Sequence, residues 1–571
     1  MSDNRLDTAR RHSLFLARQL DNGKLKPEIF LPMLDKVLTE ADFQAFADWD
    51  KIRAEENEEE LARQLRELRR YVVSQIIVRD INRISDLNEV TRTITLFADF
   101  AVNTALDFAY AYYRDMYGTP IGRYTKSPQH LSVVAMGKAG GYELNVSSDI
   151  DLIFVYPESG DTDGRRERGN QEFFTKVGQK LIALLNDITA DGQVFRVDMR
   201  LRPDGNSGAL VLSETALEQY LITQGREWER YAWCKGRVVT PYPNDIKALV
   251  RPFVFRKYLD YSAYEAMRNL HRQIRSEVSK KGMADNIKLG AGGIREAEFT
   301  VQAIQMIYGG QYPALQTPSL LTALDHIRAR GLMSAADTQV LQDAYLTLRS
   351  VENALQYRDD QQTHSLPDND DDSDWQRLAT ACHAENIPAL QTRIQQARDA
   401  IHQHYTATIA DEDTPAPDPI ADDLVAVDWT DPDDPHLARW LDDNIRDDDS
   451  RTQTAAALAA YTRANNWHRL PQQTSSRLHR LIPAVLSQAV QNAQLDGLAG
   501  ILDLITAVSG RNNYITLLTE QPALTNHLLN IAANAAWLIH YIAAHPLVLD
   551  DLNNERRLPP GRTALQQDLT A

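Results

Sequence analysis

Residues 133–156 read VVAMGKAGGYELNVSSDIDLIFVY. An apolar run is cut by glycines at 137, 140 and 141, and a second apolar run opens on Ser148-Asp149-Ile150-Asp151. Strand side chains alternate between faces, so a strand here places Asp149 and Asp151 on one face while Ile150 and Leu152 pack toward a core. Two carboxylates side by side repel unless a cation lies between them. A hard, oxygen-seeking ion such as Mg²⁺ relieves that repulsion, and two such ions about 4 Å apart can clamp the attacking and leaving oxygens at phosphorus. Such a pair calls for a third carboxylate. The segment 194–201, VFRVDMRL, is predicted as a strand that supplies Asp198, with Arg196 and Arg200 on the same face and Arg202 just beyond. Arginines at that spacing suit the oxygens of a phosphoryl group. Between the two carboxylate strands, NQEFFTKVGQKLIALLND (170–187) reads as a helix.

Each part alone is unremarkable: an Asp-x-Asp pair is common in a chain with 79 acidic residues. GKAGG is not a P-loop, because it lacks both the spacer before Gly-Lys and the Ser or Thr after the lysine.

The rest of the chain frames this segment. Its 571 residues allow two to four compact units. Residues 1–118 read as a helical region, 119–255 as the unit with the strands, and 256–410 as helical again. In the last of these, YSAYEAMRNLHRQIRSEV and REAEFTVQAIQMIYGG have apolar positions on one face, the second closed by Gly309 and Gly310. SLPDNDDDSD reads as a loop and residues 411–435 as an acidic, proline-containing linker. Residues 436–571 are Ala- and Leu-rich and helical until Pro559-Pro560-Gly561. The expected class is α+β.

A net charge of −18 excludes a chain built to coat nucleic acid. Cys234 and Cys382 have no metal-like spacing, and no stretch has the length or apolarity of a signal peptide or spanning helix. A cytoplasmic location, without membrane or nucleic-acid partners, is the expectation.

Taken together, the glycine-rich turn, Ser148, Asp-x-Asp and the later strand aspartate resemble the signature of DNA polymerase beta type nucleotidyltransferases. The resemblance narrows with GKAGGYELNVSSDIDLIF, VFRVDMRLRPDGNSGALVLS, GREWERYAWCKGRVV, IKLGAGGIREAEFTVQ and QQTHSLPDN, which occur in that order. From about residue 10 onward the chain is similar to the glutamine synthetase adenylyltransferase family, in which two nucleotidyltransferase units flank regulatory helices. The front unit removes AMP from a tyrosine of glutamine synthetase and the rear one adds it. Glu143-Leu144-Asn145 before Ser148-Asp149-Ile150-Asp151 is similar to the front copy. The tail resembles the regulatory helices, with the second unit expected beyond it.

The resemblance implies phosphorolysis: inorganic phosphate attacks the adenylyl phosphorus, tyrosine leaves and ADP forms. The full-length protein would also adenylylate with ATP, and a PII-type signal protein would be a regulatory partner. Asp149, Asp151 and Asp198 would be the catalytic residues and ligands of two Mg²⁺ ions, with Asp198 alternatively orienting the phosphate. Gly137, Lys138, Ser148, Arg200 and Arg202 would contact phosphates, and Arg295 and Glu296 would line the site or serve as a helix start. The chain departs from the family pattern at Ala139 and Ala291. Two alternatives remain open: another PII-linked nucleotidyltransferase, such as a uridylyltransferase, and a non-catalytic fragment that binds glutamine synthetase or PII.

Overall fold

The computed structural model describes residues 4–256, 285–368, 372–409, 423–424, 426–464, 470, 472–510, 512–546 and 548–552. The helix expected over YSAYEAMRNLHRQIRSEV, much of the acidic linker and the Pro559-Pro560-Gly561 break lie outside the described residues. The chain is α+β, mainly helical with small mixed sheets. It divides into two units, one of residues 1–257 and 266–408, the other of 258–265 and 409–571. Among the described residues no helix is long and apolar enough to cross a membrane.

The first unit is built around a five-stranded sheet: β1 (Ser132–Ala135), β2 (Ile150–Tyr156), β3 (Val197–Asp198), β4 (Val211–Ser213) and β5 (Arg237–Val238). β1 lies between β2 and β5 and is antiparallel to both. β3 and β4 share the other edge of β2, each parallel to it, β3 at its start and β4 at its end. β1 and β2 are apolar almost throughout and buried, as expected of central strands covered on both faces.

Two long helices precede the sheet. α1 (Glu58–Ile81) is capped by Asn57, whose side chain accepts from the Glu60 amide, and three glutamates occupy its first turn, where the helix dipole favours negative charge. α2 (Leu87–Tyr117) is capped by Asp86, and Gly118, at φ 90°, accommodates the turn that ends it. Phe97, Phe100 and Ala101 of α2 share one core with Phe154 and Leu152 of β2 and with Phe173 and Leu181 of α3 (Asn170–Asn186). The remainder of the unit is helical with a core of its own, formed by α4 (Ile294–Tyr308), α5 (Ala335–Tyr357) and their neighbours. α4 ends at Gly309, as its sequence predicts.

The second unit consists, in its described residues, of helices packed around Trp440, Leu481, Leu502 and Leu528.

The glycine-rich turn takes the form of a single helical turn, Gly137–Gly140. One local expectation is corrected. The strand expected over 194–201 shrinks to Val197–Asp198, because the Arg200 amide donates to Asp198 Oδ1 at 2.8 Å. An aspartate that bonds the amide two residues on bends the chain out of a ladder.

Gly178, in the middle of α3, lets that helix lie against the sheet: a Cβ there would come within 2.9 Å of the Phe154 ring. Gly178→Val is therefore expected to destabilise the first unit by about 2 kcal/mol through overpacking, read as a lowered denaturant midpoint at unchanged slope.

Candidate functional site

The parallel pairing of β2 with β3 sets Asp151 opposite Asp198 and Ile150 opposite Val197. Ile150 is buried, so the register that hides it also fixes the two aspartates side by side. Asp149 immediately precedes β2. Burial, reinforced by the charges of Asp149 and Asp198, pushes the Asp151 carboxyl up to about 7, while Lys288 and Arg200 pull it the other way. Asp198 moves in the opposite direction. Burial there works against its charge, but hydrogen bonds from Arg200 outweigh it and hold the carboxyl below the usual range. Arg200 Nε lies 3.0 and 2.8 Å from the two Asp198 oxygens, and Nη2 lies 2.5 Å from Oδ2. Asp149 Oδ1 accepts from Gln362 Nε2 at 2.8 Å.

Among the described residues no three Asp, Glu, His or Cys side chains are grouped as a finished metal cage. The ready-made triad of carboxylates expected from the sequence is thus not assembled. Asp198 is turned to Arg200 and Asp149 to Gln362, with Asp151 between two neighbouring negative charges. The donor chemistry nonetheless fits a hard divalent ion, since all donors are carboxylate oxygens and the central carboxyl is raised by burial and by like charge, the second of which a cation would offset.

Gly137 adjoins these groups. Its φ is +56°, and a Cβ would stand 2.9 Å from Asp151 Oδ2, so a side chain at 137 would fill the space beside that carboxylate. The other predicted contacts are placed differently. Lys138 is turned away into an ion pair with Glu352 at 2.5 Å and a hydrogen bond to Asn145 Oδ1 at 2.8 Å. Glu352 is fully buried. Burial opposes its charge, but Lys138, His364 and Arg349 hold its carboxyl well below the ordinary value. Ser148 Oγ accepts from the Asn145 amide at 3.2 Å and so shapes the loop before Asp149. Arg202 is buried and donates to the Met199 carbonyl at 2.7 Å. Arg196, expected beside Asp198, donates instead to the Ser147 carbonyl. The Arg295 amide bonds the Lys288 carbonyl at 3.1 Å. Glu296, buried, accepts from the Gly292 amide at 2.8 Å and lies 3.0 Å from His402 Nδ1, bracing the glycine loop rather than facing the aspartates.

Two residues near the aspartates were not singled out from the sequence. Lys288 has neither an ion pair nor a side-chain hydrogen bond among the described residues, yet its charge acts on Asp151, Lys138 and Glu298. Gln362 holds Asp149. Both belong to strings that carry the resemblance, IKLGAGGIREAEFTVQ and QQTHSLPDN, and those strings were the available signal.

A further layer supports the loop of residues 143–148. Arg349, Glu352, Asn353 and Gln356 are all buried on one face of α5. Arg349 Nη2 donates to the Glu143 carbonyl at 2.5 Å, Asn145 Nδ2 to Asn353 Oδ1 at 2.6 Å, and the Ser147 amide to Gln356 Oε1 at 3.1 Å.

The family model for glutamate-ammonia ligase adenylyltransferase matches residues 6–249, the part that holds the sheet and all three aspartates. Bifunctional glutamine synthetase adenylyltransferase/adenylyl-removing enzymes align along the chain. The one from Neisseria meningitidis strain Z2491 is 63% identical over 579 residues, covering 100% of this chain and 64% of the relative. Along its whole length the chain is similar to the glutamine synthetase adenylyltransferase/adenylyl-removing enzymes. The member from Chromobacterium violaceum is 43% identical over 96% of this chain and 59% of its own length, and that from Pseudomonas aeruginosa strain PAO1 is 41% identical over 90% and 53%. The chain therefore spans less than two thirds of these family members. Residues 268–409 match a second model, GlnD PII-uridylyltransferase, and this segment includes α4, α5, Lys288 and Gln362.

The raised Asp151 carboxyl has a consequence for the metal-free protein. A carboxyl whose value rises on folding takes up protons in the native state. The stability it contributes is complete at low pH and is lost as pH rises from the ordinary carboxylate range through about 7. In EDTA the melting temperature is expected to fall between pH 5 and pH 8, and Asp151→Asn should flatten that part of the profile. An unchanged slope in the variant would assign the fall to other groups.

Proposed function

We propose that the first unit removes AMP from adenylylated glutamine synthetase by phosphorolysis, on a sheet of the DNA polymerase beta nucleotidyltransferase type. The observation that carries this reading is the pairing of Asp151 with Asp198 across β2 and β3, with Asp149 alongside and Gly137 leaving space beside Asp151.

Asp149, Asp151 and Asp198 would hold two Mg²⁺ ions, which when bound supply charge neutralisation at the reacting phosphoryl group. Arg200, exposed at its end and tied to Asp198, orients that carboxylate and presents its outer N–H groups to phosphate oxygens. Lys288, a cation without an ion pair among the described residues, balances the charge of the incoming phosphate. An oxygen of inorganic phosphate bonds to the adenylyl phosphorus and the bond from phosphorus to the tyrosine oxygen breaks. The tyrosine oxygen takes a proton, and ADP is released. Lys138 and Ser148 act from behind, holding the loop that positions Asp149. Residues 119–255 would form the catalytic domain, 256–410 a helical domain packed on it, and 436–571 a regulatory segment that responds to a PII-type protein. In the whole protein a further unit would adenylylate glutamine synthetase with ATP, in the cytoplasm.

The match of residues 268–409 to the uridylyltransferase model favours a second reading, a nucleotidyltransferase acting on a PII-type protein. Incubation of the chain with Mg²⁺ and phosphate separates the two. ADP released from adenylylated glutamine synthetase supports the first, whereas UMP or UDP released from uridylylated PII supports the second. If well-folded chain acts on neither substrate, a binding fragment is the remaining reading.

On the first reading, Asp149→Asn and Asp151→Asn each abolish ADP release without loss of fold. Lys288→Gln raises the KM for phosphate about tenfold, the size expected for one charge-assisted contact, and changes kcat less. Near-normal turnover in either aspartate variant would contradict the assignment.

A further inference from the structure

Beside Ser147 and Ser148 lies a cavity of about 290 Å³ whose lining includes none of Asp149, Asp151 and Asp198. Its lining is cationic. Arg66, Arg69 and Arg70 come from one face of α1, Arg196 from the chain entering β3, and Lys24 from the N-terminal helical layer, against the carboxylates of Asp191 and Asp360. In a chain of net charge −18 this local excess is opposite to the composition.

The cations are only partly satisfied. Arg66 is spent on structure, donating to the carbonyls of Ala62, Asp187 and Gly192. Arg69 pairs with Asp360 at 2.6 Å and donates to the Val146 carbonyl at 3.1 Å, but its buried Nε has no hydrogen-bond partner. Arg70 spends a single N–H on the Asp191 carbonyl at 3.3 Å, and Asp191 Oδ1 stands 3.8 Å away. Arg196 gives one N–H to the Ser147 carbonyl, and Lys24 has no ion pair among the described residues. A buried guanidinium N–H without an acceptor is costly. Several guanidinium groups converging on one space of this size are suited to a group with several acceptor oxygens and more than one negative charge.

We infer that this cavity is a second anion site, binding a phosphate group behind the loop that carries Asp149. The fold couples the two places. Asp360, which pairs with Arg69, also accepts from Ser147 Oγ at 2.5 Å, so an anion drawing on Arg69 loosens the hold on the residue two before Asp149. The phosphate group could be free inorganic phosphate or the phosphate end of a nucleotide.

Binding is measured by calorimetry on the full chain in EDTA at fixed ionic strength, with inorganic phosphate and with ADP as separate titrants. Without divalent ions the three aspartates repel both. One saturable site is expected, weakened about fivefold by Lys24→Gln, an exposed position that leaves the fold intact, and more by Arg70→Gln. Asp151→Asn should bind as well as the parent chain. Phosphate binding alone identifies the free anion as the ligand, and ADP binding with the same sensitivity to Lys24 identifies the nucleotide. Saturable binding of neither titrant overturns the inference. So does binding that is indifferent to Lys24→Gln and Arg70→Gln but altered in Asp151→Asn, which would place the anion at the aspartates. Because no turnover is read, failure of this site is distinguishable from failure of the proposed activity.

Discussion

The seam between α5 and the loop of residues 143–148 determines where Asp149 can be. Arg349, Glu352, Asn353 and Gln356 are buried with almost no exposure, and each is matched to the loop or to Lys138. Buried charges are tolerable only when paired and hydrogen-bonded on both sides. A seam of this kind therefore has one register. Slipping the loop by a residue would strand a guanidinium and a carboxylate in a low-dielectric interior. The sheet fixes Asp151 and Asp198 through its backbone ladder, and the helix fixes Asp149 through its side chains.

That division explains the placement of the lysine in GKAGG. A lysine after a glycine-rich turn invites a phosphate-binding reading, yet Lys138 is spent on Glu352. A cation that balances a buried carboxylate is not available to a ligand, since withdrawing it would leave Glu352 uncompensated. The positive charge facing the aspartates comes instead from Arg200 and Lys288, both of which act on Asp151. Lys288 sits in a loop whose glycine amide is braced by Glu296. Loops presented by a rigid scaffold are where ligand contacts concentrate.

What could be read from the sequence follows from the range of the forces involved. β1, β2 and α3 are legible because their apolar runs and periodicity are local properties, and Ile150 and Leu152 alternate with Asp151 as a strand requires. The short strand at Asp198 is not legible, because an Asx turn and a strand differ in one hydrogen bond, from the Arg200 amide. The polar face of α5 was illegible for another reason. Arg349, Glu352 and Asn353 look like a solvated helix face until residues some two hundred positions earlier are folded against them. Arg202 was expected at a phosphate and is buried, since the chain turns before it arrives.

The three aspartates are not drawn together as a finished ligand set, and this follows from like charge. Two of them have taken a partner, Arg200 for Asp198 and Gln362 for Asp149, while burial and the two neighbouring charges push the Asp151 carboxyl up. On the proposed reading a divalent ion would compete with these arrangements and would free the Asp198 carboxylate from Arg200. Arg200, whose side chain is mostly exposed, can swing away at little cost in packing. Lys138 cannot, because it is held between Glu352 and Asn145 in the interior. The adjustable cation is the exposed Arg200 and the fixed one the enclosed Lys138, so on the proposed reading a bound metal and phosphate would move Arg200 without disturbing the seam that holds the loop.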